Sequence, residues 1–252
     1  MEEKINELSG LRLPYLIVCG EKLNHPGVVY REARGKYDAI NFGAKLIPEE
    51  AETVALNDVD TKIHNFRAAL NQFTQTKATL LHTKVIVREG PQNLLLLLQT
   101  KIRRFALIVV EGDLMLIKRK ALTNILPLKP CKAEDTYILF KILEHQGKVV
   151  FSEKCYCETS KTENVKEEKS YKRRTVSGIY QALAYTDPPS LIKLFYALLP
   201  FLSPLLMILG LKGYYWMRGI LLGFVDYLRG DRTGDWRPTY SSTISKAQRA
   251  RI

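Results

Sequence analysis

The sequence predicts an α/β domain followed by C-terminal membrane-associated helices, on three observations. Short apolar runs of strand length alternate with stretches of helical periodicity from about residue 14 to 183, the pattern of helices layered on a sheet. The chain has 252 residues, 46% hydrophobic and 25% charged, enough apolar material for a full core. From 191 to 211 the composition changes abruptly to LIKLFYALLPFLSPLLMILGL, where Lys193 is the only charge. The expected division is a catalytic-sized domain over 1–187, hydrophobic and amphipathic helices over 188–230 and a basic tail over 231–252.

The elements follow in order. PYLIVCG (14–20) reads as a buried strand and GVVYRE (27–32) as a second. KYDAINFGAKLI (36–47) carries small and apolar residues at helical spacing, and ETVALNDVD (52–60) is a strand that runs into two aspartates. IHNFRAALNQF (63–73) is helical, ATLLHTKVIVRE (78–89) a strand and LLLLLQTKIRRF (94–105) a core helix, its five leucines too few to cross a bilayer. ALIVVEGDLMLIKRKAL (106–122) reads as a strand and turn leading into a basic stretch. EDTYILFKILEHQG (134–147) is a helix opened by acids and closed by glycine. The charged stretch 158–172 reads as a mobile loop or flap.

At 1.5 Å per residue, about 20 residues reach across roughly 30 Å of hydrocarbon, so 191–211 is long enough to span. Pro200 and Pro204 equally suit a re-entrant hairpin or an in-plane helix. YYWMRGILLGFVDYL (214–228) has the look of an interfacial helix, and a soluble hairpin packed on the core is the alternative. The tail, with Arg229, Arg232, Arg237, Lys246, Arg249 and Arg251, is expected on the cytosolic side, which makes the α/β domain cytoplasmic. The N-terminal MEEKINELSG reads as neither signal peptide nor anchor.

A formal charge of +12 calls for an anionic partner. No zinc-finger, RNP or helix-turn-helix pattern is present, so nucleic acid is not expected. Cys155 and Cys157 fit strand alternation better than half of a zinc site, and the four histidines are too scattered for a metal set. P-loop, H-E-x-x-H and G-x-S-x-G motifs are absent.

The most informative motif is Asp58-Val59-Asp60-Thr61, where a strand ends. Ligands bind beyond the carboxyl ends of strands in open α/β sheets, and two carboxylates one residue apart can share a hard divalent ion that grips a diphosphate. By itself a D-x-D is as well explained by a turn or helix cap. Upstream, GKYDAINFG (35–43) supplies a lysine at a helix start and an asparagine about a turn later. Downstream, Glu134 and Asp135 open a helix, and KRRTVSGIYQ (172–181) offers three consecutive cations.

Taken together these segments resemble the family 2 glycosyltransferases. GKYDAINFG looks like that family's GKxxAxNxG segment and DVDT like its metal-binding D-x-D. EGDLMLIKRKAL (111–122) is less distinctly similar to the stretch before the acceptor site, and AEDTYILFKILEHQGKVVF (133–151) to the acidic motif with its helix and strand. The resemblance implies a GT-A fold, a nucleotide-diphospho-sugar transferase-like mixed sheet flanked by helices. It also implies roles: Asp58 and Asp60 on Mg²⁺ or Mn²⁺, Asp135 as general base, and Lys36 and Asn41 on the nucleotide side. Arg173 and Arg174 would meet the departing diphosphate.

Two departures stand out. The family's opening strand is not found, the chain beginning at what reads as the first helix. Cys19-Gly20-Glu21 stands where acids help to hold the base, which leaves Glu21. In YKRRTVSG (171–178), aligned with the QxxRW motif of processive synthases, Tyr171 replaces the glutamine and Thr175 the tryptophan, implying transfer of a single sugar. The expected activity is metal-dependent, inverting transfer from a nucleotide-diphosphate sugar to a lipid-linked or glycan acceptor. The alternative is a catalytically inactive, membrane-associated binding protein that keeps the fold.

Overall fold

A computed structural model describes residues 1–87, 108, 110–159 and 164–234. The helix expected over 94–105 and the basic tail beyond Gly234 lie outside the described residues. After helix α1 (Glu2–Gly10), strands β1 (Ile17–Cys19) and β2 (Val28–Tyr30) pair in parallel as a small sheet. Helix α2 (Lys36–Ala44) follows Gly35, whose φ of 106° is a conformation natural to glycine.

The main sheet contains β3 (Thr53–Asn57), β4 (Lys62–His64), β5 (Leu80–Val87), β6 (Leu114–Lys118) and β7 (Val149–Thr159), in the order β3-β6-β5-β7-β4. Among the described strands, β5 and β7 alone run parallel within it. The central β5 is covered on both faces, which is why LLHTKVIV reads as a nearly continuous run rather than an alternation. One face carries α3 (Phe66–Thr76), whose Phe66, Ala69 and Phe73 pack on Leu81, Leu116, Cys155 and Cys157. The two cysteines are therefore inward-facing strand residues with free thiols, as alternation requires.

On the other face lie α4 (Arg119–Ile125), α5 (Glu134–Glu144) and α6 (Val165–Tyr185). Leu122, Ile138, Leu139, Phe140 and Val176 meet Leu80, Met115 and Ile117 there. Each such side chain, removed from water, contributes roughly 1.5–3 kcal/mol.

Two stretches differ from the expectation. Ile63 and His64 extend β4 instead of opening the helix, because they pair with Cys157 and Tyr156 of β7. Asn65, at φ 60°, then turns the chain into α3. The charged stretch expected as a flap is ordered at both described ends: Glu158 and Thr159 finish β7, and 165–172 form the first turns of α6, capped by Asn164 accepting from the Glu167 N–H. Within 106–122, a strand follows the Glu-Gly-Asp turn and the basic residues after it are helical, while the strand expected before that turn lies largely outside the described residues.

The C-terminal apolar stretch is broken in two. Helix α7 (Ser190–Leu202), carrying Pro200, passes into a 3₁₀ segment (Ser203–Leu209) begun by Pro204. Gly210, at φ 65°, then turns the chain into α8 (Gly210–Leu228). Together Ser190–Leu228 is long and apolar enough to cross a membrane by length and composition, and only 17% of its most apolar window is buried.

Candidate active site

Four segments distant in sequence converge beyond the end of β3. The first is the D-x-D turn itself. The Asp58 N–H donates to the Asp113 carbonyl at 3.3 Å, and Thr61 returns its backbone N–H and its hydroxyl to the Asp58 carbonyl at 3.3 and 2.8 Å. Asn57 donates to Thr61 Oγ1 at 2.9 Å and to the Asp113 carbonyl. From behind, α1 braces the turn: buried Lys4 donates to the Thr61 carbonyl at 2.7 Å, and Glu7 accepts from the Ile63 N–H at 2.5 Å. Asp58 is thereby held half-buried, and Asp60 stands at the exposed rim.

The second segment is the start of α2, which delivers Lys36. Its Nζ lies 2.5 Å from Asp58 Oδ1 and 2.8 Å from Glu134 Oε1, so one ammonium joins the D-x-D to the acid pair. Burial alone would lower the Lys36 pKa. The fields of Asp58, Glu134 and Asp135 override it and hold the group well above its ordinary value. Lys36 is therefore a permanent cation at neutral pH.

The third segment, the N-terminus of α5, supplies Glu134 and Asp135. Burial and the neighbouring Glu134 charge push Asp135 up from 3.8 to about 6, against the pull of Lys36 and of the Thr136 N–H, which donates to Asp135 Oδ1 at 2.6 Å. A carboxylate with that affinity is a serviceable proton acceptor near neutrality.

The fourth is the Glu111-Gly112-Asp113 turn before β6. A Cβ at Gly112 would lie 2.9 Å from Asp135 Cβ and 3.2 Å from Lys36 Nζ, so the bare glycine backbone lies against both the Asp135 carboxyl and the Lys36 ammonium. Sequence reasoning passed over Gly112 as a site residue. Its only local signal was a glycine between two acids just before a strand, and its role depends on contacts with residues 23 and 76 positions away.

The other expected site residues are placed differently. Asn41 spends its whole amide on the backbone of Leu128, donating to the carbonyl at 3.0 Å and accepting from the N–H at 2.7 Å. It thus ties α2 to the loop before α5. Arg173 lies on α6 and forms a two-pronged ion pair with Asp226 of α8, at 2.5 and 2.7 Å. Arg174, on the same helix, stacks over Tyr171 at 5.4 Å. Glu21 is exposed on the loop after β1, its N–H donating to Cys19 Sγ at 3.2 Å. The chain after α8 returns toward the site. Lys132 pairs with Asp231, Gln181 donates to the Asp231 and Thr233 carbonyls, and the Gly234 carbonyl closes against Gly35.

Protein-family models return no match to this sequence, and no curated protein matches it. Solved structures do match. The mannosyltransferase PcManGT from Pyrobaculum calidifontis, in complex with GDP-Man and Mn²⁺, superposes with a TM-score of 0.66 over 91% of this chain and 83% of its own, at 15% identity. The fold is GT-A. GalNAc-T7 with UDP, GalNAc and Mn²⁺ also matches, at 12% identity and a TM-score of 0.44, over 81% of this chain and 44% of that one. In the GT-A frame of this chain, the Asp58 turn, the Gly112 turn and the start of α5 all lie at one edge of the main sheet, with Lys36 reaching across from α2.

Proposed function

We propose that this chain transfers a sugar from a nucleotide-diphosphate donor to a lipid-linked or glycan acceptor, inverting the anomeric carbon, at the cytosolic face of a membrane. One observation carries the reading: Asp58, from the D-x-D turn, and Glu134, beside the raised carboxyl of Asp135, share the Lys36 ammonium on a GT-A sheet. The similar mannosyltransferase holds GDP-Man and Mn²⁺, which supports donor and metal of the same classes here.

The donor set suits a divalent ion, Mg²⁺ or Mn²⁺. Its oxygens are hard ligands, Asp58 and Asp60 stand one residue apart at the rim, and the acids outnumber the single ammonium. No group of three or more candidate ligands is preformed among the described residues, and Asp58 and Asp60 are the residues that would hold the ion. Bound there, it would supply charge neutralisation to the leaving diphosphate. Lys36 adds a fixed positive charge on the donor side, Asn41 holds that side's wall through Leu128, and Arg174 supplements the cations on α6. Asp135 takes the acceptor hydroxyl proton as the oxygen attacks in line. The new glycosidic bond forms while the bond from the anomeric carbon to the phosphate oxygen breaks, and the nucleotide diphosphate departs with the electron pair.

The test is nucleotide release from GDP- and UDP-linked sugars by the purified chain with Mn²⁺, Mg²⁺ or a chelator. Turnover is expected with metal and is lost in Asp60→Ala and Asp135→Asn. Equal turnover in both variants defeats the mechanism. Donor binding by calorimetry without release identifies the inactive binding module instead.

A further inference from the structure

We propose that α7 and the 3₁₀ segment are a one-leaflet insertion device: they lie in the plane of an anionic bilayer surface and do not cross it. This deepens the membrane reading above and rests on it, but not on the transfer chemistry.

The inward stripe of α7, Ile192, Tyr196 and Pro200 with Ser203 after it, is buried on the domain, and the Tyr196 hydroxyl donates to the Ile108 carbonyl at 2.8 Å. Its other side is a continuous apolar surface. Leu191, Leu194, Phe201, Leu205, Ile208 and Leu211 are all exposed, Phe201 by 78% and Ile208 by 86%. A patch of that kind on a charged protein needs an occupant.

A span is opposed by the way α8 is held. Its Gly219 and Gly223 lie so close to α6 that a Cβ would come within 2.7 Å of the Lys169 carbonyl oxygen and 2.5 Å of the Arg173 carbonyl oxygen. Trp216 donates to Glu168, Lys172 covers the Trp216 ring at 3.8 Å, and Arg173 clasps Asp226. Helix α6 itself opens with Lys166, Glu167, Glu168, Lys169, Lys172, Arg173 and Arg174, and cannot enter hydrocarbon. With α8 fastened to it, only α7 and the 3₁₀ segment remain, and a span by these would have to strip Ile192, Tyr196, Pro200 and Ser203 from the domain against which they are buried.

Charge selects the occupant. Within Ser190–Leu228 the ionised residues are Lys193, Lys212, Arg218 and Asp226; Asp226 is paired with Arg173 and Lys193 with Asp187, which leaves Lys212 and Arg218 as the net cations. Lys212 and the exposed Arg218 follow directly after the apolar tip, with the Tyr214 and Tyr215 rings between them. An apolar tip is thus followed by two cations that flank an aromatic pair, the residue types that gather at the headgroup level of a lipid interface. A second copy of the chain would bring the same cations together, whereas anionic headgroups neutralise them.

The experiment adds the full chain to preformed vesicles of phosphatidylcholine, with and without phosphatidylglycerol, and separates them by flotation. Strong binding is expected only with phosphatidylglycerol. Phe201→Asp combined with Ile208→Asp lowers the partition coefficient roughly a hundredfold, and thermal melting stays unchanged because both side chains are exposed. Lys193→Cys and Arg218→Cys, made singly, are both labelled by an impermeant maleimide added outside, against a low background because the four native thiols are buried. Labelling of either only after permeabilisation reveals a span and overturns the proposal. Failure of the wild-type chain to bind either vesicle also overturns it, and leaves the transfer reading to the nucleotide-release assay. An aspartate pair that splits a dimer without altering vesicle binding assigns the patch to self-association and refutes it as well.

Discussion

Replacing Asp135 by asparagine separates catalysis from stability. The carboxyl of Asp135 is raised from 3.8 to about 6 by burial and by Glu134. Below about pH 4 it is protonated in folded and unfolded chains alike and contributes nothing to pH dependence. Between these values the unfolded chain has released a proton that the folded chain retains, so this group's contribution falls as pH rises and is fully unfavourable above about 6. At 1.36 kcal/mol per pKa unit the cost is about 3 kcal/mol at most, with surface screening reducing it. Asp135→Asn removes that cost and the proton acceptor together. It is expected to melt higher than wild type at pH 8, with the advantage shrinking by pH 5, and to lose two to four orders of magnitude in transfer rate. The wild-type rate should climb as pH rises through about 6 and then level off. Melting by circular dichroism and nucleotide release at matched pH values provide the readouts. A variant retaining more than about a tenth of the wild-type rate, or less stable than wild type at pH 8, would refute the assignment.

Three further outcomes follow from the geometry. Gly112→Ala, whose Cβ must push Asp135 or Lys36 aside, is expected to cut kcat at least tenfold while the melting temperature changes little. Asn41→Ala strands the buried Leu128 N–H and carbonyl, and should cost about 1–3 kcal/mol in urea unfolding. Lys4→Met releases the Thr61 carbonyl beneath the D-x-D turn; the expected sign is a higher Mn²⁺ requirement with unchanged kcat at saturating metal, seen in a metal titration of nucleotide release.

Much of the site was legible because its parts are local. GKYDAINFG does open a helix with Lys36 at its start, DVDT does close a strand, and Glu134-Asp135 does begin a helix. Each is a pattern of near neighbours, which periodicity, turn chemistry and end effects report directly. The order of the segments was enough to suggest the GT-A arrangement. Partners were not legible. Nothing near Asn41 indicates that its amide belongs to Leu128, 87 residues on, or near Arg173 that its guanidinium belongs to Asp226. Ile63 and His64 fit a helical pattern until β7 offers its edge, and the 165–172 charges look like a flap until α8 packs along the helix they begin.

What the sequence by itself determined is therefore the kind and order of the elements and the chemical types at their ends, because these depend on residues within a turn or a strand of one another. The tertiary structure alone decided which of those ends meet: that one lysine stands between two acid motifs, that a bare glycine lies against both it and Asp135, and that α8 packs closely along α6. Those outcomes depend on through-space distances of a few ångströms between residues tens of positions apart, which the one-dimensional order of the chain does not encode locally.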